Sequence, residues 1–342
     1  MRTQTTDFAL YLQGFFSDYL PGERMVSKHT IRAYRDSFVL FLEYIKFHKK
    51  MSPDKLRLED FTKEAIVSYL DWLKESKQCG DSTRAARYAA ICSFCKYLQY
   101  KDPTRLAQWQ AIRSLRIKKP QKVSVAYLSI KATKAILEQI PVESRTGLRN
   151  FAMLSLLYES AARVQELINL TPSCIRTESP SIIYLHGKGG KKRVIPIGPQ
   201  IVEILSTYMK NFGLDNQHCR DRPLFFNSWG VKLTSSGVTY ILKKYASMAR
   251  VQNPNDIPSR ISPHCLRHSR AMHLLQQGVN LVYIRDILGH VSIQTTEIYA
   301  RVDSKQKREA IEKASQGIID TPIGIPIWEK DEQLKAFLKS LA

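Results

Sequence analysis

The stretch Pro263–Tyr299, PHCLRHSRAMHLLQQGVNLVYIRDILGHVSIQTTEIY, decides how the chain is read. His264, Arg267 and His268 fall at i, i+3 and i+4, spacings that make side chains neighbours on a helix surface. Ser262 suits the N-cap and Pro263 the first helical position, where a missing N–H costs nothing. Gly278 supplies a stop. A second short helix is expected from about Leu281 to Leu288, ending at Gly289 with His290 directly after it. A third begins near Ser292 and carries Tyr299. An arginine, histidines and a tyrosine at the ends and faces of short helices suit the holding of an anion while a hydroxyl attacks it. Zinc does not fit, because the HExxH pattern needs Glu at the position of Cys265. His268 and His273, five residues apart, read as structural.

Composition narrows the class. The 342 residues suggest about two domains. Fifty-two Lys and Arg against 31 Asp and Glu leave a formal charge of +21. In a chain that is 44% hydrophobic, and therefore folded, that imbalance requires a polyanionic partner, most simply nucleic acid. There is no amphipathic anchor, lipidation signal or long apolar run, so no membrane partner is expected. MRTQTTDFAL lacks an apolar signal-peptide core, and six cysteines in this length make no disulfide framework. A reducing cytoplasm follows as the expectation. Cys92 and Cys95 lie in an apolar helical pattern and read as core packing.

Residues 1–112 read as a small helical bundle. Ser27 opens a helix with Ile31, Tyr34, Phe38, Phe41, Leu42 and Ile45 on its apolar stripe. Lys28, Arg32 and Arg35 lie about a quarter-turn from that stripe. A helix after Thr62 uses Ile66, Leu70 and Leu73; one from Ser82 has Arg84 and Arg87 early, then Ile91, Phe94 and Leu98. Basic residues grouped near helix starts suit phosphate contacts. RSLRIKKPQK, from Arg113, is basic, contains Pro120 and lacks a helical stripe, so it reads as a linker. Its Lys118 and Lys119 would lie favourably along DNA. Beyond it, helices are expected at Ile130–Ile140, Gly147–Tyr158, Pro199–Phe212 and Ser236–Ala249. YESAARVQELINL places Arg163 and Glu166 at i, i+3, and two β-like runs, Ser181–Leu185 and Arg193–Ile197, flank the glycine-rich turn HGKGGKK. That turn brings Lys188, Lys191 and Lys192 to where ammonium groups could meet a phosphate.

Arg163, a lysine in a β-turn 25 residues on, His264-x-x-Arg267, His290 within LGH and Tyr299 nine residues later together resemble the tyrosine recombinase, or phage integrase, family. SAARVQEL looks like its first arginine box and PHCLRH…LGH…TTEIY like its second; SKHTIRAYRDSFVLFLEYI and STRAARYAAICSFCKYL are similar to helices of its core-binding domain. One departure is Ser160-Ala161 where the family commonly has Thr-Gly, which should alter the local turn rather than the charge. The resemblance implies a mainly α chain: a SAM-like DNA-binding domain (1–112), a basic linker (113–125), a mostly helical catalytic domain with a small β-hairpin (126–316) and a C-terminal tail (317–342).

It also implies a mechanism. Arg163 and Arg267 would fork onto the nonbridging oxygens of a scissile phosphate, with His264 and His290 adding hydrogen bonds or proton transfer. Tyr299 would be the nucleophile, giving a 3′-phosphotyrosine, and Lys188, rather than Lys191, would protonate the departing 5′-oxygen. No metal, cofactor or ATP is expected. Four protomers would act as a C-shaped clamp on two DNA sites through a Holliday junction, for integration or excision of a mobile element. Dimer resolution, a type IB topoisomerase and an inactive DNA-binding relative are the alternatives. In the tail, Leu334, Phe337, Leu338 and Leu341 make a narrow apolar stripe that must dock, either on its own catalytic domain or, as the resemblance implies, on a neighbouring protomer.

Overall fold

The computed structural model describes residues 5–118, 127–187, 190–302 and 332–341. Lys119, Lys188 and most of the expected linker and tail lie outside them. The chain divides into two compact units, Met1–Val123 and Ser124–Ala342. Fourteen α-helices and one small sheet are present among the described residues, so the chain is mainly helical. None of the described helices is long and apolar enough to cross a membrane.

The first unit is built from α1 (Asp7–Gly14), which runs into a π-helical segment Phe15–Glu23, then α2 (Lys28–His48), α3 (Lys63–Glu75), α4 (Asp81–Lys101) and α5 (Leu106–Arg113). Side-chain oxygens of Thr6, Ser27 and Thr62 cap the first three of these helices by accepting backbone N–H groups. The stripes expected on α2, α3 and α4 turn inward and meet at Phe94. Its ring lies 5.2–5.8 Å from those of Phe8, Phe15, Phe38 and Phe61, mostly edge to face. Trp109 of α5 is fully buried, and its indole N–H is satisfied by the Asp102 carbonyl at 3.1 Å. Cys95 is in this core and Cys92 packs against it. So do Leu115 and Ile117, the first apolar residues of the expected linker. The Tyr88 hydroxyl helps by donating to the carbonyls of Ile112 and Leu115.

In the second unit α6 (Ile130–Glu138), α7 (Arg145–Glu159), α9 (Pro199–Phe212) and α10 (Ser235–Gln252) surround an aliphatic core. Ala152, Met153, Leu154, Leu156 and Leu157 are all buried, so α7 is covered on every side. After the short α8 (Val164–Ile168) come three antiparallel strands, β1 (Ile175–Arg176), β2 (Ile182–His186) and β3 (Lys192–Pro196), in that spatial order. Ile183 and Leu185 of β2 and Ile195 of β3 face the core. In the register Leu185 opposes Arg193 and His186 opposes Lys192. The strands sit one residue away from the expected runs, and β1 is too short to carry any alternation.

The opening stretch folds as α11 (Pro263–Gln276), α12 (Leu281–Leu288), a 3₁₀ turn Ile293–Thr295 and α13 (Glu297–Val302). Gly289 has φ +61°, the left-handed conformation that ends α12. A Cβ there would also crowd the Arg193 guanidinium, so the glycine is needed twice over. His273 of α11 is structural, as expected: it is buried between the Tyr158 hydroxyl (2.8 Å) and the Leu128 carbonyl (2.9 Å). A last helix, α14 (Glu332–Ser340), lies in the tail.

Candidate active site

Three arginines from three different elements converge on the end of α12. Arg193 donates to the Ile287 carbonyl (3.0 Å), Arg267 to that of Leu288, and Arg163 to that of Gly289 (3.4 Å). Three consecutive carbonyls at a helix C-terminus, its negative end, thus receive three guanidinium groups. Arg267 projects from α11 and is 3% exposed; its second donor contact is the Ala161 carbonyl at 2.6 Å. Burial, then the charges of Arg163 and Arg193, pull its pKa down to about 10. It remains a cation at neutral pH.

Glu166 makes this gathering possible. Its carboxylate, 4% exposed, accepts from Arg163 Nη1 (2.8 Å) and from both terminal nitrogens of Arg193 (2.8 and 2.7 Å). It also accepts the Arg163 backbone N–H at 2.7 Å, because Arg163 is the N-cap residue of α8 and Glu166 its third residue. Burial alone would raise the Glu166 pKa. Hydrogen bonds from Arg193 and from Arg163 outweigh it and hold the carboxyl at about 2.

Ala161, where the resemblance pattern has glycine, takes φ +47° and is fully buried. The turn is therefore kept despite the Cβ, with left-handed strain on the order of 1–2 kcal/mol. That turn aims the Ala161 carbonyl at Arg267.

The histidines and the tyrosine complete the site. Tyr299, on α13, has no exposed surface, and burial raises its pKa against the pull of Arg267. Its hydroxyl lies 2.7 Å from Nδ1 of His268. His268, expected to be structural, reaches the phenol one helical turn after His264. Burial, then His264 and Arg267, lower the His268 pKa to about 4. His290 is also lowered to about 4, by burial and then by Arg267 and Arg163. Its Nδ1 meets the Thr296 hydroxyl at 3.0 Å. His264 is lowered by burial, then by Arg267 and Arg163. The ring centres of His264 and His268 are 6.2 Å apart.

Beside these groups opens a cavity of about 490 Å³ lined by Arg163, Lys191, Lys192, Arg193, His290 and Val291, among others. The hairpin turn that contains Lys188 borders it through Gly187 and Lys191. Arg193, Glu166 and Thr296 were not singled out from the sequence for these tasks; only the i, i+3 spacing of Arg163 and Glu166 hinted at any of them.

The basic residues of the first unit divide into two groups. Lys28, Arg32 and Arg35 are exposed on α2, with Arg35 paired to its neighbour Asp36. Arg84 instead donates to the Leu70 carbonyl (2.9 Å) and lies near Asp71 and Asp81. Arg87 donates to the Ala33 carbonyl and the Ser37 hydroxyl. These two guanidiniums tie helices together. Lys118 is exposed and 3.1 Å from Asp81.

Replacing Glu166 by Gln should destabilise the protein by about 3–5 kcal/mol, because two partly buried guanidiniums lose their counter-charge. The folded pKa of about 2 lies below the ordinary 4.5, so the wild-type contribution is complete above about 4.5 and lost as pH falls towards 2. Urea denaturation across that window should show this loss in the wild type and not in Glu166→Gln. Equal slopes would mean that the carboxylate carries no such load.

Comparison with known proteins gives these contacts a setting. Residues 127–306 match the phage integrase family, and residues 14–101 match the phage integrase N-terminal SAM-like domain. An integrase/recombinase named y4rC from Sinorhizobium fredii is 30% identical over 339 residues, covering 99% of this chain and all of the relative. The tyrosine recombinase XerD of Halalkalibacterium halodurans is 32% identical over 296 residues, 86% of this chain and 94% of that one. Among solved structures, the integrase of transposon Tn1549 with transposon right-end DNA superposes with a TM-score of 0.67 at 14% identity, covering 89% of this chain and 98% of its own. The XerH recombinase in a post-cleavage complex with a palindromic difH substrate gives 0.65 at 21% identity, covering 84% and 79%. The chain belongs to the phage integrase family, with its N-terminal SAM-like domain, and is a tyrosine recombinase, an enzyme that cleaves and rejoins DNA.

Proposed function

We propose that Tyr299 is the nucleophile of this site-specific recombinase and that Arg163 and Arg267 hold the scissile phosphate. The observation that carries the reading is the meeting of arginines, neutral histidines and one buried phenol beside a basic cavity. The Tyr299 oxygen attacks phosphorus, the bond to the 5′-oxygen breaks, and a 3′-phosphotyrosine forms. Negative charge grows on the nonbridging oxygens, and fixed guanidiniums stabilise it without reorganising. His264 and His290, uncharged at neutral pH, donate N–H groups to the same oxygens. Lys188 of the β2–β3 turn gives its proton to the leaving 5′-oxygen. A second 5′-hydroxyl then reverses the attack, so rejoining needs no ATP.

Double-stranded DNA is the partner. Lys28, Arg32 and Arg35, together with Lys118, Lys119, Lys191 and Lys192, contact its phosphates. A homotetramer on two sites follows, passing through a Holliday junction. Integration or excision of a mobile element is the reading we favour, supported by the full-length similarity to an integrase/recombinase. Resolution of chromosome or plasmid dimers is the second, favoured by relatives named XerC and XerD. The DNA flanking the coding region separates them: element ends there support the first, and their absence the second.

Tyr299→Phe should bind its site almost as the wild type does and form no covalent adduct. A nicked suicide substrate, run on a denaturing gel, reads this directly; an equally abundant adduct from the variant would place the nucleophile elsewhere. Lys188→Ala should slow cleavage by roughly 10²–10⁴-fold. A 5′-thio leaving group, which departs without a proton, should restore much of that rate. Absence of rescue, with rescue in Lys191→Ala, would transfer the acid to Lys191.

The tail helix bears on assembly. Phe337, Leu338 and Leu341 are 57%, 55% and 67% exposed, an apolar stripe that gains by docking on a neighbouring protomer. Deletion from Trp328 onward should leave single-site binding and the melting temperature nearly intact while cooperative binding and recombination fail together. A markedly lower melting temperature would assign the helix to its own protomer.

A further inference from the structure

We propose that His268 takes the phenolic proton of Tyr299 as the tyrosine attacks phosphorus, and returns it when the strand is rejoined. The inference rests on Tyr299 as the nucleophile, and deepens that reading. Of the histidines here, His268 is the one whose nitrogen touches the reacting oxygen, with Nδ1 2.7 Å from the hydroxyl, Tyr299 fully buried and His268 partly buried. The other two are differently engaged. His290 Nδ1 meets Thr296, and His264 stands one turn before His268, its ring centre 6.2 Å from that of His268.

The charges around the pair set the protonation state of the ring. His264 and Arg267 face His268 from its own helix, His290 from the segment after α12, and Tyr299 from α13. None of these neighbours is an anion when the tyrosine is protonated, so the imidazole is held neutral, its pKa near 4. In the tautomer with the ring proton on Nε2, the hydroxyl donates and Nδ1 accepts across the 2.7 Å contact. The acceptor is therefore already aimed along the bond that must break.

The energetics also explain when the proton moves. Burial holds the phenol above its ordinary value near 10. With the imidazole near 4, the proton stays on oxygen while the site is empty of DNA. A bound phosphodiester changes both sides of the transfer. Its negative charge favours the imidazolium, and the forming O–P bond makes the phenolic oxygen a strong acid. In the balanced step the Tyr299 O–P bond forms, the P–O5′ bond breaks, the phenolic proton passes to His268 Nδ1, and the leaving 5′-oxygen takes a separate proton from the general acid. Positive charge thus appears on His268 as negative charge grows on the phosphorane.

The test uses the full-length protein with a suicide substrate under single-turnover conditions. His268→Gln keeps a polar side chain of similar reach without a base, and its folding and DNA binding are read by melting temperature and gel shift. Cleavage by this variant should fall about 10²-fold or more. The acid limb of the wild-type rate against pH should disappear, leaving a rate that climbs steadily with hydroxide. Fluorotyrosine at position 299, a more acidic phenol, should restore more of the rate in His268→Gln than it adds to the wild type. If His268→Gln cleaves within about threefold of the wild type, or if fluorotyrosine changes both enzymes alike, His268 only positions the ring and the proposal is overturned. Should His268→Gln fail to fold, fluorotyrosine in the wild type alone decides: an acid limb unchanged by the more acidic phenol supports His268 as its origin, and a limb that shifts with the phenol overturns it. An adduct persisting in Tyr299→Phe would defeat the nucleophile reading instead, and this one with it.

Discussion

The carboxylate of Glu166 sits between the guanidinium groups of Arg163 and Arg193, and the active site depends on that single buried anion. Gathering arginines out of water is opposed both by desolvation and by their mutual repulsion. One carboxylate, with four hydrogen-bonded contacts, offsets part of that cost for two of them. Arg267 has no carboxylate among its hydrogen-bond partners and relies on the carbonyls of Ala161 and Leu288. The helix end of α12 does the rest. Its last carbonyls turn towards the cations because Gly289 ends the helix in a left-handed conformation. The Leu-Gly-His sequence is thus a device for presenting carbonyls to arginines as well as for delivering His290.

Three guanidiniums against one carboxylate leave the site short of negative charge. Burial first, and then the neighbouring guanidinium charges, depress the pKa of Arg267 and of the histidines. On the proposed reading, a phosphodiester entering the cavity relieves the shortage, so the ligand supplies the charge that the protein withholds. Binding and transition-state stabilisation then share one origin, and the interaction strengthens as charge grows on phosphorus. Lys191 and Lys192, which line the cavity, add to the same field.

Much of this was legible in the sequence because helix periodicity and caps are local. Ser27 and Thr62 cap the helices they were expected to open, and Ile91, Phe94 and Leu98 are buried as their spacing implies. The residues of the second arginine box lie close together for the same reason: they sit on consecutive short helices. What stayed hidden depends on contacts across long separations. Arg84 and Arg87 looked like phosphate ligands near a helix start, but their partners Leu70, Ala33 and Ser37 lie on other helices. Arg193 was named only as the start of a β-like run, and the register opposite Leu185 shows it turned towards Glu166. His268 read as structural because its distinguishing partner lies 31 residues away.

The buried tyrosine and the suppressed histidines answer one chemical problem together. A strand-cleaving nucleophile that ionised freely would attack any phosphate that reached it, and a charged histidine beside it would resist further cations without helping attack. Burial of Tyr299 keeps the phenol protonated, and burial together with the neighbouring positive charges keeps the imidazoles neutral. The phenol is therefore in the less reactive of its two forms while no phosphate is bound, with a neutral imidazole beside it. The phosphate alters that balance through the same arginines that bind it, because neutralising their field is what allows an imidazole to accept a proton. Site occupancy and nucleophile activation are coupled by electrostatics, with no need for a separate trigger.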